Sequence, residues 1–432
     1  MKKIKGIPLI HHKNTDKQIP SILPVPTFVR LPMQMHSGMP ATPIVQIGDY
    51  VKRGQLIAQA TGNVSAPVHA SVSGKIKAID AFDPISGNKA TSIVIESKQS
   101  QIDHHFVPPH VTDFNSFMQA VGESGVVGLG GAGYPTAAKL NRQNEAQLDY
   151  ILINGAECEP YITSDTRMMV DETQAVFDGT VILQRYINAK QAILCIEENK
   201  PDAIKKLTTL CKEETNISVH VLPSKYPQGE RKVLVYNVTG RIVPEGARLS
   251  DVGCLVINCS TVAVIAKYIQ TGMPLTSRIV TVDGSGIIKP QNIIAPIGTP
   301  IKNILEYCGL RDSTKKIIIG GPMMGVAVSS TDVPTIKTTN ALLAFTAKDT
   351  HMLPPSNCIR CGRCITHCPM NLMPSNIEDA FLLKKPDMLA TLRVNMCVEC
   401  ACCDYVCPAK RPLAQVMSLS KNMLWEHKQN GK

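Results

Sequence analysis

Hydrophobic and polar positions change their period several times along the 432 residues. Residues 1 to about 30 are polar and irregular, broken by Pro8, Pro20, Pro24 and Pro26. From Thr27 to about Ile95, short apolar runs alternate with turn signals at Gly48-Asp49, Arg53-Gly54 and Ser73-Gly74. That pattern predicts short strands linked by hairpins. Between 105 and about 265, strand-length apolar runs at 148–153, 192–196 and 217–222 are separated by stretches of helical period at 169–186 and 201–213. Strand–helix alternation predicts a parallel α/β sheet. Residues 275–330 return to short strands, with a hairpin expected around Asp283-Gly284-Ser285-Gly286 and a helix after Pro300. A linker through Pro354-Pro355 leads into a cysteine-rich end.

Composition narrows the function classes. The most apolar window, 252–266, is interrupted by Asn258, Ser260 and Thr261, so no membrane-spanning helix is expected. The N-terminal MKKIKGIPLIHHKNTD lacks the long apolar segment of a secretory signal. Net charge is +10, yet only 4% of residues are aromatic and no basic stretch interleaves with aromatics. Stacking-based nucleic-acid binding is therefore not expected. An anionic lipid surface, an acidic redox partner or a merely solvated basic face remains open.

Eight of the fifteen cysteines form two copies of one run. The first is Cys358-x-x-Cys361-x-x-Cys364-x-x-x-Cys368-Pro369, and the second is Cys397-x-x-Cys400-x-x-Cys403-x-x-x-Cys407-Pro408. Three closely spaced thiolates wrap three corners of a 4Fe–4S cube, and the fourth cysteine of each run serves the other cube. The expected ligand sets are Cys358, Cys361, Cys364 and Cys407 for one cluster, and Cys397, Cys400, Cys403 and Cys368 for the other. Zinc is the alternative metal, but its sites favour paired Cys-x-x-Cys over triplets trailed by Cys-Pro. Cys402 reads as a bystander between ligands, and the remaining cysteines as buried small hydrophobes. Such metal-ligand clustering points to a reducing, cytoplasmic compartment.

A glycine-rich run, GESGVVGLGGAGYPTAAKLNR, occupies 122–142. Gly128, Gly130, Gly131 and Gly133 would let the backbone approach a phosphate or flat ring. Val126-Val127 reads as a short strand before the run, and Pro135 as the first residue of a helix after it. Lys139, one turn on, would reach a phosphate. The alternative is a tight turn with packing glycines. Asn154-Gly155-Ala156-Glu157-Cys158-Glu159-Pro160 follows the strand expected at 148–153. Strand carboxyl ends are where open α/β sheets place ligands, and Glu157 and Glu159 could hold ribose hydroxyls there. An acidic solvated loop is the alternative. Cys158 has no histidine nearby in sequence and is not read as a nucleophile.

Two resemblances add to this reading. The segment 27–95 resembles the barrel-sandwich fold of biotinyl and lipoyl domains, but Asn63-Val64-Ser65-Ala66-Pro67 lacks the modifiable lysine of their hairpin tip. That implies a structural or docking role. GLGGAGYPTAAKL, NGAECEPYITSDTRMM, SKYPQGERK and the paired cysteine runs resemble the RnfC family, a component of the Rnf electron-transport complex. The middle of the chain is also similar to the NADH-binding flavoprotein subunit of respiratory complex I. The resemblance implies non-covalent FMN, NADH oxidation, two 4Fe–4S clusters, and ferredoxin and other Rnf-type subunits as partners. Attachment would be peripheral, on the cytoplasmic face of the membrane. It implies that Asn154 and Asn258 contact flavin, that Glu159 contacts the nucleotide, and that Tyr226 and Glu230 lie on a flavin-side loop. Ala156 departs from the acid of the complex I flavoprotein, and YPQGERK departs from the usual YPQGGEK.

The expected fold is multidomain α/β and α+β. A barrel-sandwich hybrid occupies 1–104, a Rossmann-like FMN/NADH domain 105–268, a β-grasp (SLBB-type) domain 269–345 and a two-cluster ferredoxin-like helical domain 346–432. The leading function is passage of electrons between NADH, through FMN, and ferredoxin or a partner subunit. The GIPLIHHKNTD opening departs from the usual Rnf start. It keeps open a soluble relative that feeds a reductase, for example one acting on amino acids. A non-catalytic iron–sulfur scaffold is the third reading.

Overall fold

The computed structural model describes residues 5–82, 90–141, 148–350 and 353–430. Near the N-terminus, two small antiparallel sheets face each other. One orders Phe28–Pro32, Ala90–Ser97, Gly74–Phe82 and Tyr50–Val51, and the other Thr42–Pro43, Leu56–Gln59 and Val68–His69. Alternating inward residues, among them Val29, Leu31, Ile57, Val68, Ile76, Ile93 and Ile95, fill the space between them. The Asn63–Pro67 tip is bound into the body of the protein. Met39 N donates to Val64 O at 2.8 Å, Ala66 N to His36 Nε2 at 3.1 Å, and Lys337 Nζ to Pro67 O at 2.6 Å.

The α/β unit holds four parallel strands in the order Ile217–Leu222, Gln191–Glu197, Tyr150–Gly155, Cys254–Asn258. Helices cover the sheet, so its central strand is a continuous apolar run in which Ile151, Leu152 and Ile153 are buried. The strand order turns back beside Tyr150–Gly155. That topological switch opens a crevice at the strand carboxyl ends, and there Asn154 pairs in register with Asn258.

Two local expectations are corrected. The helix expected at 169–186 is two helices, Ser164–Asp171 and Thr173–Ile187. At the break, Thr173 Oγ1 donates to the carbonyls of Met169 and Val170, at 2.8 and 3.0 Å. Val126-Val127 is not a strand, because Val127 bridges only to Pro135 across the glycine run. Gly128 N donates to Tyr134 O, and Gly133 N to Gly128 O. The run is a loop closed on itself, and Pro135 caps a helix of five residues, Thr136–Leu140. Arg142, the last residue of that run, lies outside the described residues.

The third sheet has six strands in the order Ser21–Ile22, Gln291–Pro296, Ser277–Asp283, Ala341–Thr346, Thr314–Ile319, Val326–Val328. Helix Ile301–Tyr307 buries Ile301, Ile304 and Leu305 against it. Its edge strand comes from the N-terminal arm, which the sequence pattern left irregular. The C-terminal unit is helical around Ile377, Ala380, Leu389, Val394 and Met417. Among the described residues, no helix is long and apolar enough to cross a membrane.

Candidate cofactor sites

The crevice brings together residues far apart in sequence. Asn154 Nδ2 donates to Gly229 O at 2.9 Å, and its Oδ1 accepts from Ala156 N at 3.2 Å. Asn258 Oδ1 accepts from Thr261 N and so caps helix Cys259–Thr271, while its Nδ2 donates to Asp165 at 2.7 Å. The glycine loop lies against this pair. A Cβ on Gly130 would stand 3.2 Å from Asn258 Nδ2. Gly131 has φ +112° and nothing within 4 Å of the place where a Cβ would be. The loop thus offers bare backbone to open space.

Charge beneath the loop is positive. Arg278 is buried, its Nη2 donates to Leu129 O at 3.2 Å, and its Nε has no partner among the described residues. Asp165, held by Asn258 and Ser260, offsets part of that charge. A buried guanidinium with an unused donor, set under exposed peptide groups, fits an anion such as a phosphate. Lys139 is turned inward. Its Nζ donates to Val256 O in the sheet, and burial brings its pKa down to about 8.

The Asn154–Pro160 segment is fixed by a buried ionic network. Lys13 Nζ donates to the carbonyls of Glu157, Glu159 and Ile162, at 2.9, 2.9 and 2.5 Å. Burial lowers its pKa to about 8, against the pull of Glu157. Lys200 Nζ donates to Ala156 O at 2.6 Å and to Glu197 at 3.3 Å. The Glu157 carboxylate accepts from Asp165 N and Thr166 N, which moves the helix start forward to Ser164. Glu159 accepts from the backbone N–H groups of Met323 and Met324, at 3.0 and 2.8 Å, and burial pushes its pKa up to about 7. Both acids therefore bond to this chain's own backbone. Burial pushes the Cys158 thiol up to about 12, the wrong direction for a nucleophile.

One short loop ties the crevice to the cysteines. Gly229 accepts from Asn154, and three residues earlier Tyr226 donates its hydroxyl to Cys400 O at 2.8 Å. Tyr226 is 2% exposed and packs with Ile7, Leu9, Cys400 and Cys402. Glu230 caps the next helix, Arg231–Thr239, through Lys232 N and Val233 N.

The cysteines of the two runs line two cavities in crossed sets. Cys358, Cys361, Cys364 and Cys407 line one of about 180 Å³. Cys368, Cys397, Cys400 and Cys403 line a tighter one, together with Cys402. Both loops put left-handed residues at equivalent places: Arg360 (φ 55°) and Gly362 (72°) in one, Glu399 (53°) and Ala401 (58°) in the other. Three of these four are not glycine, so the fold stores strain twice in the same pattern. Such turns aim backbone N–H groups inward, and Glu399 N reaches Cys397 Sγ at 3.4 Å. A zinc ion draws each sulfur to about 2.3 Å from itself. Among the described residues, no three His, Cys, Asp or Glu side chains form a group that could hold a single metal ion. The outer cavity has room for a larger cluster between its four cysteines, whereas the inner one, about 20 Å³, would have to widen to take the same group.

Comparison with known proteins shows the family. Residues 2–100 match the RnfC barrel sandwich hybrid domain, and residues 121–267 match the Nuo51 FMN-binding domain. The C-subunit of the Acetobacterium woodii Na(+)-translocating ferredoxin:NAD(+) oxidoreductase complex is 40% identical, over 82% of this chain and 81% of that one. The chain belongs to the RnfC family. The Clostridium ljungdahlii proton-translocating counterpart is 39% identical over 83% and 79%. The C-subunit of the Rhodobacter capsulatus ion-translocating oxidoreductase complex is 38% identical over 85% and 73%. An NAD+-reducing [NiFe]-hydrogenase in its air-oxidized state shares the fold, with a TM-score of 0.51 at 17% identity, over 67% of this chain and 55% of that one.

In this RnfC chain, sequence reasoning missed Lys13, Asp165, Glu197, Lys200 and Arg278. Glu197 and Lys200 had a signal, because they stand at the carboxyl end of strand Gln191–Glu197. Lys13 and Arg278 had none, since their partners lie more than 140 residues away. A further cavity, about 670 Å³, lies between the N-terminal sheets and the α/β unit. His69, Phe106, Ala137 and Tyr268 line it, and none of the expected site residues does.

Proposed function

We propose that this chain is the NADH-handling flavo-iron–sulfur subunit of an ion-translocating ferredoxin:NAD oxidoreductase complex. In this reading the crevice holds FMN and receives NADH, and the two cysteine cavities each hold a 4Fe–4S cluster. The domain limits 1–104, 105–268, 269–345 and 346–432 follow, with the third unit read as β-grasp and the fourth as ferredoxin-like. The partners are the other subunits of the complex, at the cytoplasmic face of the membrane.

The observation that carries the reading is the loop from Tyr226 to Gly229. It touches Asn154 in the crevice at one end and Cys400 in the inner cavity at the other. FMN held there would supply an acceptor for hydride and a donor of single electrons, and 4Fe–4S clusters held by the cysteines would supply one-electron carriers. The protein's own work is placement. The backbone at Gly128, Gly130, Gly131 and Gly133 leaves room for a phosphate or ring, with Arg278 supplying charge from below. Lys139 adds positive potential from behind the loop. Asn154 and Asn258 offer amide groups at the switch point. Glu157 and Glu159 shape the segment in front of it, and Tyr226 and Glu230 hold the loop that leads to Cys400. The inner set is Cys368, Cys397, Cys400 and Cys403. The outer set is Cys358, Cys361, Cys364 and Cys407.

The test is anaerobic NADH titration of FMN-reconstituted, iron-loaded protein. Bleaching of the flavin band followed by cluster reduction is expected. An unbleached flavin would leave only a cluster scaffold. Co-purification from membranes with the other subunits is expected as well, and recovery only with a soluble reductase would contradict the complex assignment.

A further inference from the structure

We propose that the cavity between the N-terminal sheets and the α/β unit binds a small organic cation, a planar nitrogen heterocycle that carries an ammonium group. The proposal does not depend on what the crevice holds. A volume of about 670 Å³ is that of an ordinary small-molecule pocket. Its walls meet only in the folded chain. Leu56 and His69 come from the N-terminal sheets, Phe106 from the connection to the α/β unit, and Ala138 and Tyr268 from helices of that unit.

Rings set the shape of the guest. Phe106 and Tyr268 line the cavity in a chain with only 4% aromatic residues, and His69 and His104 add two imidazoles. Phe106 is fixed in the wall. It meets His104 edge to face, with 6.2 Å between centroids, and it packs on Gly54, where a Cβ would stand 2.4 Å from the ring. Ring faces attract flat molecules and cations.

Charge sets its sign. No lysine or arginine lines the cavity, and Glu123 is its one carboxylate among the described residues. Gln119 Nε2 donates to Glu123 Oε1 at 2.8 Å, and the Tyr268 hydroxyl lies 3.4 Å from Oε2. The carboxylate is thus held in place at the rim by neutral groups, with its charge left for a guest. A phosphate would find no such partner. That separates the cavity from the crevice, where Arg278 supplies positive charge.

The deep end is polar at one point. His69 is 9% exposed, and its Nδ1 is enclosed without a hydrogen-bond partner. That nitrogen lies against Gly125, where a Cβ would stand 3.0 Å from it. The exposed part of the ring is therefore the edge that carries Nε2. Burial, aided by Lys337, pushes the His69 pKa down to about 3, so the ring is neutral near pH 7 and can accept an N–H. A guest with a ring N–H at one end and an ammonium at the other satisfies His69 and Glu123 together.

The test is equilibrium dialysis of the FMN-loaded full chain against tryptamine, which has both polar ends. Indole-3-acetate, with the same ring and the opposite charge, is the control. One tryptamine per chain is expected, and saturating NADH should not displace it. Glu123→Gln should weaken tryptamine by about five-fold, the upper range for one exposed ion pair, and should leave FMN uptake unchanged. Ala138→Phe, checked for folding by its melting temperature, should abolish binding by filling the cavity. Flavin-free chain should bind tryptamine as tightly as loaded chain, so failure of the crevice reading would not produce failure here. Absence of tryptamine binding, equal affinity for indole-3-acetate, or an affinity that Glu123→Gln does not change would overturn the proposal. So would displacement by NADH, which would put the probe in the crevice.

Discussion

The two cysteine runs share their spacing, and their loops share the same left-handed positions, yet their surroundings are opposite. The outer loop opens to solvent at Cys361. The inner set buries Cys368 and Cys400, adds Cys402 to the wall, and stands against Tyr226, Ile7 and Leu9. Spacing decides which atoms a cluster would find. Packing decides what can reach it. In the proposed reading, two sites of one chemistry would thereby become an entrance and an exit, with the inner one facing the crevice.

The largest expected effect comes from removing an outer ligand. Cys361→Ala should lose one cluster's absorbance and at least a hundred-fold of electron exchange with an external carrier. Flavin reduction by NADH should stay. If flavin reduction vanished in a folded variant, the assumed order of sites would be reversed.

Next is cluster loss. A chelator or oxidant should strip the cluster at the exposed cavity several-fold faster than the buried one, giving a biphasic decay of absorbance. Cys361→Ala should abolish the fast phase. A single phase would mean that burial does not distinguish the two cavities.

A proton-linked difference sharpens the comparison from the inner side. Glu159 and Cys400 both act on the buried Tyr226 hydroxyl. Glu159 has a folded pKa of about 7 against an ordinary value of 4.5. Between those values the folded protein keeps a proton that the unfolded chain has lost. Stability contributed by this group is therefore full below about pH 4.5 and falls as pH rises towards 7. Glu159→Gln should flatten that slope in denaturant unfolding across the window. A variant that kept the parent slope would assign the titration elsewhere.

The smallest expected effect is at Tyr226. Tyr226→Phe removes one buried hydrogen bond, to Cys400 O, at about 1 kcal/mol. The midpoint potential of the inner cluster should move, and that of the outer should not. A shift in both, or only in the outer, would place Tyr226 outside the path.

These contrasts also mark what the sequence could reveal. The crossed grouping of the cysteines around two cavities was legible because their spacing is local and repeated. The parallel sheet was legible because strands covered by helices on both faces read as unbroken apolar runs, as at 150–153 and 192–196. The paired helices near Glu172 were not, because the start at Ser164 depends on a carboxylate seven residues upstream and the break depends on one hydroxyl. Lys139 looked available for a phosphate by its place one turn into a helix, but the helix lies against Val256 and draws the ammonium inward. The N-terminal arm looked irregular because it has no period of its own. It is ordered by what it touches: Lys13 in the crevice segment, Ile7 beside Tyr226, and Ser21–Ile22 on the edge of the third sheet.

The most direct test of the order crevice, inner cavity, outer cavity is EPR of freeze-quenched Cys400→Ala protein after mixing with NADH. A reduced flavin and an outer cluster that stays oxidised are expected, although dithionite reduces that cluster. An outer cluster that NADH reduces as fast as in the parent would contradict the account.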